Sequence, residues 1–267
     1  LQIIAIFYLF LQYKTAKKMK KEERQKTILE YLSKEHRVTS VELSEYLSVS
    51  EDTIRRDLKE LSDQGLLKAV RGGAVAPSPI PLHYRKREKH DLENKKIIAQ
   101  KAIPYLKDGQ VVFIDGGTTS LALVASFPYD LKLTVITNSF PVAVLVEDLP
   151  NIELIFAGGR MCKTSFTTAG MESLDFFRNF RADICILGIC SIHHERGLTG
   201  ILYDDSQIKK NMIQNSDFII ALSSSEKIDT AETYFVSSIK DIDVLVTNIA
   251  PDDEILKPYK QKGLTVL

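Results

Sequence analysis

The chain has 267 residues, 44% of them hydrophobic, with 35 basic and 35 acidic side chains and a formal net charge of +0. That length exceeds a usual small domain, so two domains and a substantial core are expected, while the balanced charge excludes a global field drawing the chain onto a polyanion. The three cysteines, Cys162, Cys185 and Cys190, form neither an even set nor a CxxC pair. They read as reduced core thiols in a cytoplasmic protein, which leaves no disulfide framework.

Residues 1–13, LQIIAIFYLFLQY, are nearly all apolar, but the run falls short of the ~20 residues needed to span a bilayer. Lys14, Lys17 and Lys18 follow it, whereas the charged region of a secretion signal precedes its apolar one. Met19 leads at once into KKEERQ. Residues 1–18 are therefore expected to be a non-native or disordered extension, with no membrane segment.

From Glu22 to Ser33, the apolar Ile28, Leu29 and Leu32 predict a first helix. Thr39 or Ser40 then caps a second, with Val41, Leu43, Tyr46 and Leu47 expected to face inward. After the short turn Ser48–Ser50, Ser50 can cap a third helix beginning at Glu51, with Val49 and Ile54 at the positions of a hydrophobic staple. Ile54, Leu58 and Leu61 recur on its buried face and leave Thr53, Arg55, Arg56 and Lys59 outside. Guanidinium groups on such a face suit guanine edges and phosphate oxygens, and a short turn between two helices is what a helix-turn-helix requires. After a break at Gly65, Leu66 and Leu67 lead through Lys68 and Arg71 to the Gly72-Gly73 pair. This predicts a small β-wing whose basic side chains reach phosphates. The first domain is thus placed at residues 19–76, and its DNA-contacting set is Ser50, Thr53, Arg55, Arg56, Lys59, Lys68 and Arg71.

The proline-rich APSPIP and the basic HYRKREKH read as a linker over residues 77–93, the basic run forming a solvated face. From residue 94 to 267 short apolar runs alternate with amphipathic segments. The strands are expected at 111–115, 133–137, 152–157, 183–189, 217–223, 243–248 and the terminal LTVL. Their doubly apolar character predicts a mainly parallel sheet covered by helices on both faces, with a ligand at the strand carboxyl ends. Asp115-Gly116-Gly117-Thr118-Thr119 closes one strand and opens a helix, which suits a phosphate or other anion. Thr137-Asn138 and Gly158-Gly159 close the next two strands, and Lys227 follows the fifth. Repetition at successive strand ends favours one shared pocket.

A metal site from Cys190, His193, His194 and Glu195 is a further reading, but no second cluster supplies matching ligands, so neither metal nor cofactor is expected.

The run VTSVELSEYLSVSEDTIRRDLKELSDQGLLKAVRGGA, within Arg24–Ala74, resembles the winged helix-turn-helix of the DeoR family of bacterial regulators. Ala69 departs from the basic residue common there. From about Lys95 onward the chain is similar to the effector domain of that family, whose fold is like that of phosphosugar isomerases and deaminases. The resemblance implies a winged helix-turn-helix followed by an α/β effector domain, and a homo-oligomeric, cytoplasmic regulator. That regulator would bind double-stranded operator DNA and repress a carbohydrate-catabolism operon until a phosphorylated sugar relieves it. It also implies an effector set of Asp115, Gly116, Gly117, Thr118, Thr119, Thr137, Asn138, Gly158, Gly159 and Lys227. The SSSEK segment replaces the DSSK-like segment of the family. The alternative is a sugar-phosphate isomerase or deaminase using Asp115 or Glu195 as base. Against it, an isomerase has no need of a DNA-binding domain, and no acid–base pair stands out at 111–120.

Overall fold

A computed structural model describes residues 19–35, 37–64, 66–70, 72–75 and 80–267. Residues 1–18, the Gly65 break and Arg71 lie outside this set, as does the Lys68 side chain. The chain divides after residue 79 into two compact units.

The first unit runs α1 (Lys21–Glu35), β1 (Arg37–Thr39), α2 (Ser40–Leu47), α3 (Glu51–Asp63), β2 (Lys68–Val70) and β3 (Gly73–Val75). Its strands form one antiparallel sheet in the order β1-β3-β2. Thr39 is the N-cap of α2 and makes a reciprocal capping box with Glu42. Ser48 ends that helix in the left-handed region at φ 52°, and Ser50 then caps α3 by accepting from the Thr53 amide at 3.3 Å. Ile28, Leu32, Val38, Leu43, Ile54, Leu58, Leu61, Leu67 and Ala74 make the core.

Two residues expected inside α2 point outward: Val41 is 50% exposed and Tyr46 59%. An eight-residue helix starting at Ser40 offers the core one face, taken by Ser40 and Leu43. At about 100° per residue, positions 41 and 46 lie roughly 90° or more off that face. Tyr46 packs on Tyr31 instead, with ring centroids 4.7 Å apart. The wing hairpin pairs Val70 with Gly73. Gly72 supplies φ +82°, and a Cβ on Gly73 would stand 2.0 Å from the Val38 carbonyl oxygen. The two glycines thus meet different demands, a left-handed turn and a close strand contact.

The second unit begins at Ile80. It contains α4 (Tyr84–Glu88), α5 (Leu92–Ala102), β4 (Gln110–Ile114), α6 (Thr118–Val124), β5 (Leu133–Thr137), α7 (Phe140–Val146) and β6 (Ile152–Phe156). It continues with β7 (Arg160–Cys162), β8 (Thr167–Ala169), α8 (Met171–Arg178), β9 (Ala182–Gly188), β10 (Ser191–His193) and β11 (Gly197–Gly200). Last come α9 (Tyr203–Gln214), β12 (Ser216–Ser223), β13 (Tyr234–Ser237), β14 (Val244–Thr247), α10 (Lys257–Gln261) and β15 (Thr265–Val266). Seven strands form a parallel sheet in the order β15-β14-β12-β9-β4-β5-β6.

Alternate residues of each strand enter opposite cores. Phe113, Cys185, Leu187, Ala221 and Leu245 face one side, while Val112, Ile114, Ile184, Ile186, Ile220 and Val246 face the other. That is why the strands read as continuous apolar runs.

The expected linker over 77–93 ends early, because residues from Ile80 belong to the second unit. Tyr84 is 2% exposed, stacks on Phe166 and donates its amide to the Thr164 carbonyl. Burying one aromatic ring anchors this basic segment, while His83, Arg85, Lys86 and Lys89 keep the solvated character expected of it. No helix among the described residues is long and apolar enough to cross a membrane.

Candidate functional site

Two surfaces carry the residues singled out by sequence. On α3, Arg55, Arg56 and Lys59 are exposed and Thr53 is half-exposed, its hydroxyl 2.9 Å from that of Ser50. Each arginine holds a carboxylate one turn back: Arg55–Glu51 at 2.8 Å and Arg56–Asp52 at 2.7 Å. Exposed pairs of this kind contribute about 0.3–0.5 kcal/mol, so they hold the guanidinium groups only weakly. The opposite face holds Asp57, which sequence reasoning missed. It is 2% exposed and takes Arg24 Nε at 2.5 Å and Nη2 at 3.1 Å. This ion pair fixes α1 on α3, and the signal was an acid placed between Ile54 and Leu58 on the apolar stripe.

The second surface lies at the carboxyl ends of the parallel sheet. From β4 the chain moves outward through β5 and β6, then returns to add β9, β12, β14 and β15 on the other side. The order therefore switches between β4 and β9, the position at which sheets of this kind bind ligands. Asp115 and Gly117 leave β4 there, opposite Gly188 of β9. Asp115 is 0% exposed, accepts the Gly188 amide at 3.1 Å and takes the Lys209 ammonium at 2.8 Å. Lys209, 3% exposed, also holds Asp205 at 2.9 Å. Burial pushes the Asp115 carboxyl up to about 6 against the pull of Lys209. Lys209 has its ammonium raised: burial lowers it, but Asp115 and Asp205 together outweigh that.

Gly116 allows a close approach, since a Cβ there would sit 2.1 Å from Thr167 Cγ2, whereas one on Gly117 would make only ordinary contact, 3.4 Å from Gly188 Cα. Thr118, Thr119 and Ser120 begin α6, buried but without a side-chain bond among the described residues. First-turn amides of a helix have no partner within it.

Thr137 is already engaged, donating to the Ile114 carbonyl at 2.6 Å and accepting the Ser139 amide at 3.1 Å. Asn138 donates Nδ2 to the Thr168 carbonyl, while its buried Oδ1 has no partner among the described residues. Gly158 and Gly159 are exposed beyond β6, at the sheet edge. The Gly158 carbonyl accepts Ser173 Oγ at 2.6 Å, and Gly159 takes φ +131°.

Lys227 stands beyond β12 in a 3-10 turn over Ser225–Lys227. Its ammonium makes no hydrogen bond or ion pair among the described residues. Burial draws it down to about 8; Cys190 opposes that shift, and Arg87, Lys95 and Lys209 add to it. Neighbouring tethers hold this corner: His90 Nε2 meets Glu226 at 2.8 Å, and Lys95 Nζ bonds the Arg87 and His90 carbonyls. The switch point thus gathers the 115–120 turn, while Lys227 lies one strand further along the sheet. Thr137 and Asn138 sit one strand to the other side, with Gly158 and Gly159 beyond them. Lys209, Gly188, Arg87 and Lys95 were missed by sequence reasoning. Only the Asp205–Lys209 spacing of four along a helix offered a signal.

Comparison with known proteins matches both units. A family model described as DeoR-like helix-turn-helix domain matches residues 24–79, and one described as DeoR C terminal sensor domain matches residues 90–249. The HTH-type transcriptional regulator GolR of Listeria innocua is 31% identical over 91% of this chain and 97% of its own. The glycerol-3-phosphate regulon repressor of Escherichia coli is 32% identical over 90% and 95%. The HTH-type transcriptional repressor GlcR of Bacillus subtilis is 31% identical over 93% and 96%. Among solved structures, ribose 5-phosphate isomerase A from Methanocaldococcus jannaschii has a TM-score of 0.36 at 21% identity, covering 51% of this chain and 53% of that one. A Pyrococcus horikoshii translation initiation factor eIF-2B has a TM-score of 0.43 at 13% identity, covering 91% and 94%.

Proposed function

The chain belongs to the DeoR family of helix-turn-helix transcriptional regulators, and from that premise we propose that it represses a carbohydrate-catabolism operon and is released by a phosphorylated sugar. The observation that carries the effector reading is the half-buried Lys227, whose ammonium burial and the charges of Arg87, Lys95 and Lys209 draw down to about 8 and which has no carboxylate partner among the described residues. Lys209 is neutralised by Asp115 and Asp205. Among the described residues Lys227 has no such partner. An anion there repairs the electrostatics, and the free hydroxyls of Thr118 and Thr119 are donors for it.

Asp115 and Lys209 then act as a scaffold that sets the 115–120 turn. The same commitment disfavours the isomerase reading, because Asp115, the base it would use, already holds an ammonium and an amide. On the DNA side, Arg55, Arg56 and Lys59 read or grip the duplex, with Ser50 and Thr53 at the helix start. Lys68 and Arg71 of the wing extend the phosphate contacts. A homo-oligomer presents two such helices to repeated half-sites. Coupling between effector and operator of about 1–3 kcal/mol changes affinity from several-fold to about a hundredfold.

The test is binding of the full chain to its own upstream DNA at fixed salt, titrated with phosphorylated and free sugars. Release by one sugar phosphate and not by its free sugar is expected. Tight binding unmoved by every sugar phosphate would overturn the effector assignment, and absence of any DNA binding would overturn the regulator mechanism.

A further inference from the structure

Two residues beyond Lys227 the chain forms a second cluster. β10 ends at His193, His194 follows, and a parallel bridge between Ile192 and Ile228 lays the next residue, Asp229, alongside. His194 Nδ1 lies 2.9 Å from Asp229 Oδ1. One donor atom each from His193, His194 and Asp229 lies within 4.8 Å of the other two, and all three residues are half-buried.

The cluster is supported from behind. Asp229 is held at φ 61°, a left-handed conformation that costs a non-glycine residue energy and persists where surroundings enforce it. The enforcing group is Tyr259, 0% exposed, whose hydroxyl takes the Asp229 amide at 3.0 Å. That hydroxyl also stands 3.0 Å from the Ile192 carbonyl and 3.2 Å from Asp229 Oδ1. Lys262 Nζ donates to the His194 carbonyl at 2.7 Å.

We propose that His193, His194 and Asp229 form a site for a divalent first-row transition-metal ion of the zinc class. Two imidazoles and one carboxylate suit zinc, cobalt or nickel, whereas magnesium and calcium take oxygen ligands. Metal–ligand bonds of about 2.0–2.2 Å in a tetrahedron place donors about 3.3 Å apart. The His194–Asp229 contact needs to open by only a few tenths of an ångström to reach that spacing.

The rings of His193 and His194 are stacked, with centroids 4.4 Å apart and planes 20° from parallel. One ring turns about its Cβ–Cγ bond to bring both lone pairs onto one ion. His193 Nδ1 accepts from the Glu195 amide at 3.0 Å, so that ring exchanges this bond, or shifts its proton between nitrogens, on coordination. Three protein ligands leave a fourth position for water, and Tyr259 orients the carboxylate as an outer-shell partner. The sequence displays the two histidines but not Asp229, which lies 35 residues on.

The test is titration of the chelator-treated full chain with Co2+, read by its visible d–d absorption, and with Zn2+, read by calorimetry. One ion per chain is expected. His194→Gln and Asp229→Asn each weaken it at least about tenfold, while His83→Gln leaves it unchanged. The wild-type chain failing to bind Co2+ or Zn2+ would overturn the proposal. Unchanged affinity in a folded His193→Gln/His194→Gln chain would do so as well. A thiolate-to-cobalt charge-transfer band would move the site to Cys190 and overturn the set of two imidazoles and one carboxylate.

Discussion

Asp115 and Lys209 are 94 residues apart and meet at 2.8 Å in the interior. Removing one partner from such a pair leaves a buried charge without compensation, at a cost of about 3–5 kcal/mol. Lys209→Met is therefore expected to lower stability by that amount at neutral pH, read from the urea midpoint at constant slope. Asp115 adds a pH dependence. Its folded carboxyl is raised to about 6, first by burial and against the pull of Lys209, from an ordinary value of 3.8. A folded value above the unfolded one means that the stabilising contribution is complete below the unfolded value and is lost as pH rises through about 6. Relative to Asp115→Asn, whose amide does not titrate, the wild type should be more favoured near pH 4 than near pH 7. Paired urea curves across that range would show a flat difference if the carboxyl kept its ordinary value. Sequence exposed Asp115 through the Gly-Gly-Thr-Thr that follows it. The Asp205–Lys209 spacing hinted at a paired lysine but not at its contact with Asp115, because Lys209 lies on α9 and reaches the end of β4 only in the folded unit. Thr137 shows the converse: the strand end was legible, but its hydroxyl is spent on the Ile114 carbonyl.

At the scale of elements, α3 was legible almost to the residue because cap, staple and apolar stripe all agree. Ser50 accepts the Thr53 amide, and Ile54, Leu58 and Leu61 are buried. The helix buries one face and exposes the other, so its outer residues, proposed to contact DNA, can be changed without touching the core. Arg56→Ala should cost operator affinity about 1–3 kcal/mol where the guanidinium reads a base, with the loss concentrated at one operator position. Its stability cost should stay below about 0.5 kcal/mol, because the Arg56–Asp52 pair is exposed. Anisotropy titrations on an operator and its single-base variants, beside thermal melts, measure both. Equal operator affinity for wild type and variant would remove Arg56 from the interface. The seven sheet strands were legible for a similar reason, since runs such as VVFI and CILG are apolar on both faces. The hairpin β7–β8 and the sheet of β10, β11 and β13 were not. Their strands have only three or four residues, too few for a period to emerge, and β11 and β13 pair across more than thirty intervening positions.

Over the whole molecule, the first unit has one hydrophobic core and the second has two, one on each side of its sheet, and among the described residues none of the three is shared between the units. This separability is what makes the regulator reading testable by a single hydroxyl. Thr118 is 9% exposed, and its side chain makes no bond among the described residues. Thr118→Val keeps the branched shape of the side chain and removes its hydroxyl, which is both a donor and an acceptor. If the phosphate lies on the 118–119 hydroxyls, losing one bond to a charged group removes about 1.5–3 kcal/mol of effector affinity. The effector concentration for half-release should then rise roughly ten- to a hundredfold. Operator affinity without effector should match the wild type, because the recognition helix is packed in the other core. Linkage makes the same variant informative in reverse: if effector and DNA are coupled, operator DNA must weaken effector binding by the factor by which effector weakens DNA binding. Calorimetry of effector with and without operator measures that factor in both proteins. A variant with normal effector affinity would move the phosphate off Thr118. One with weakened effector affinity and an unchanged coupling factor would place Thr118 in the pocket and the switch elsewhere in the second unit.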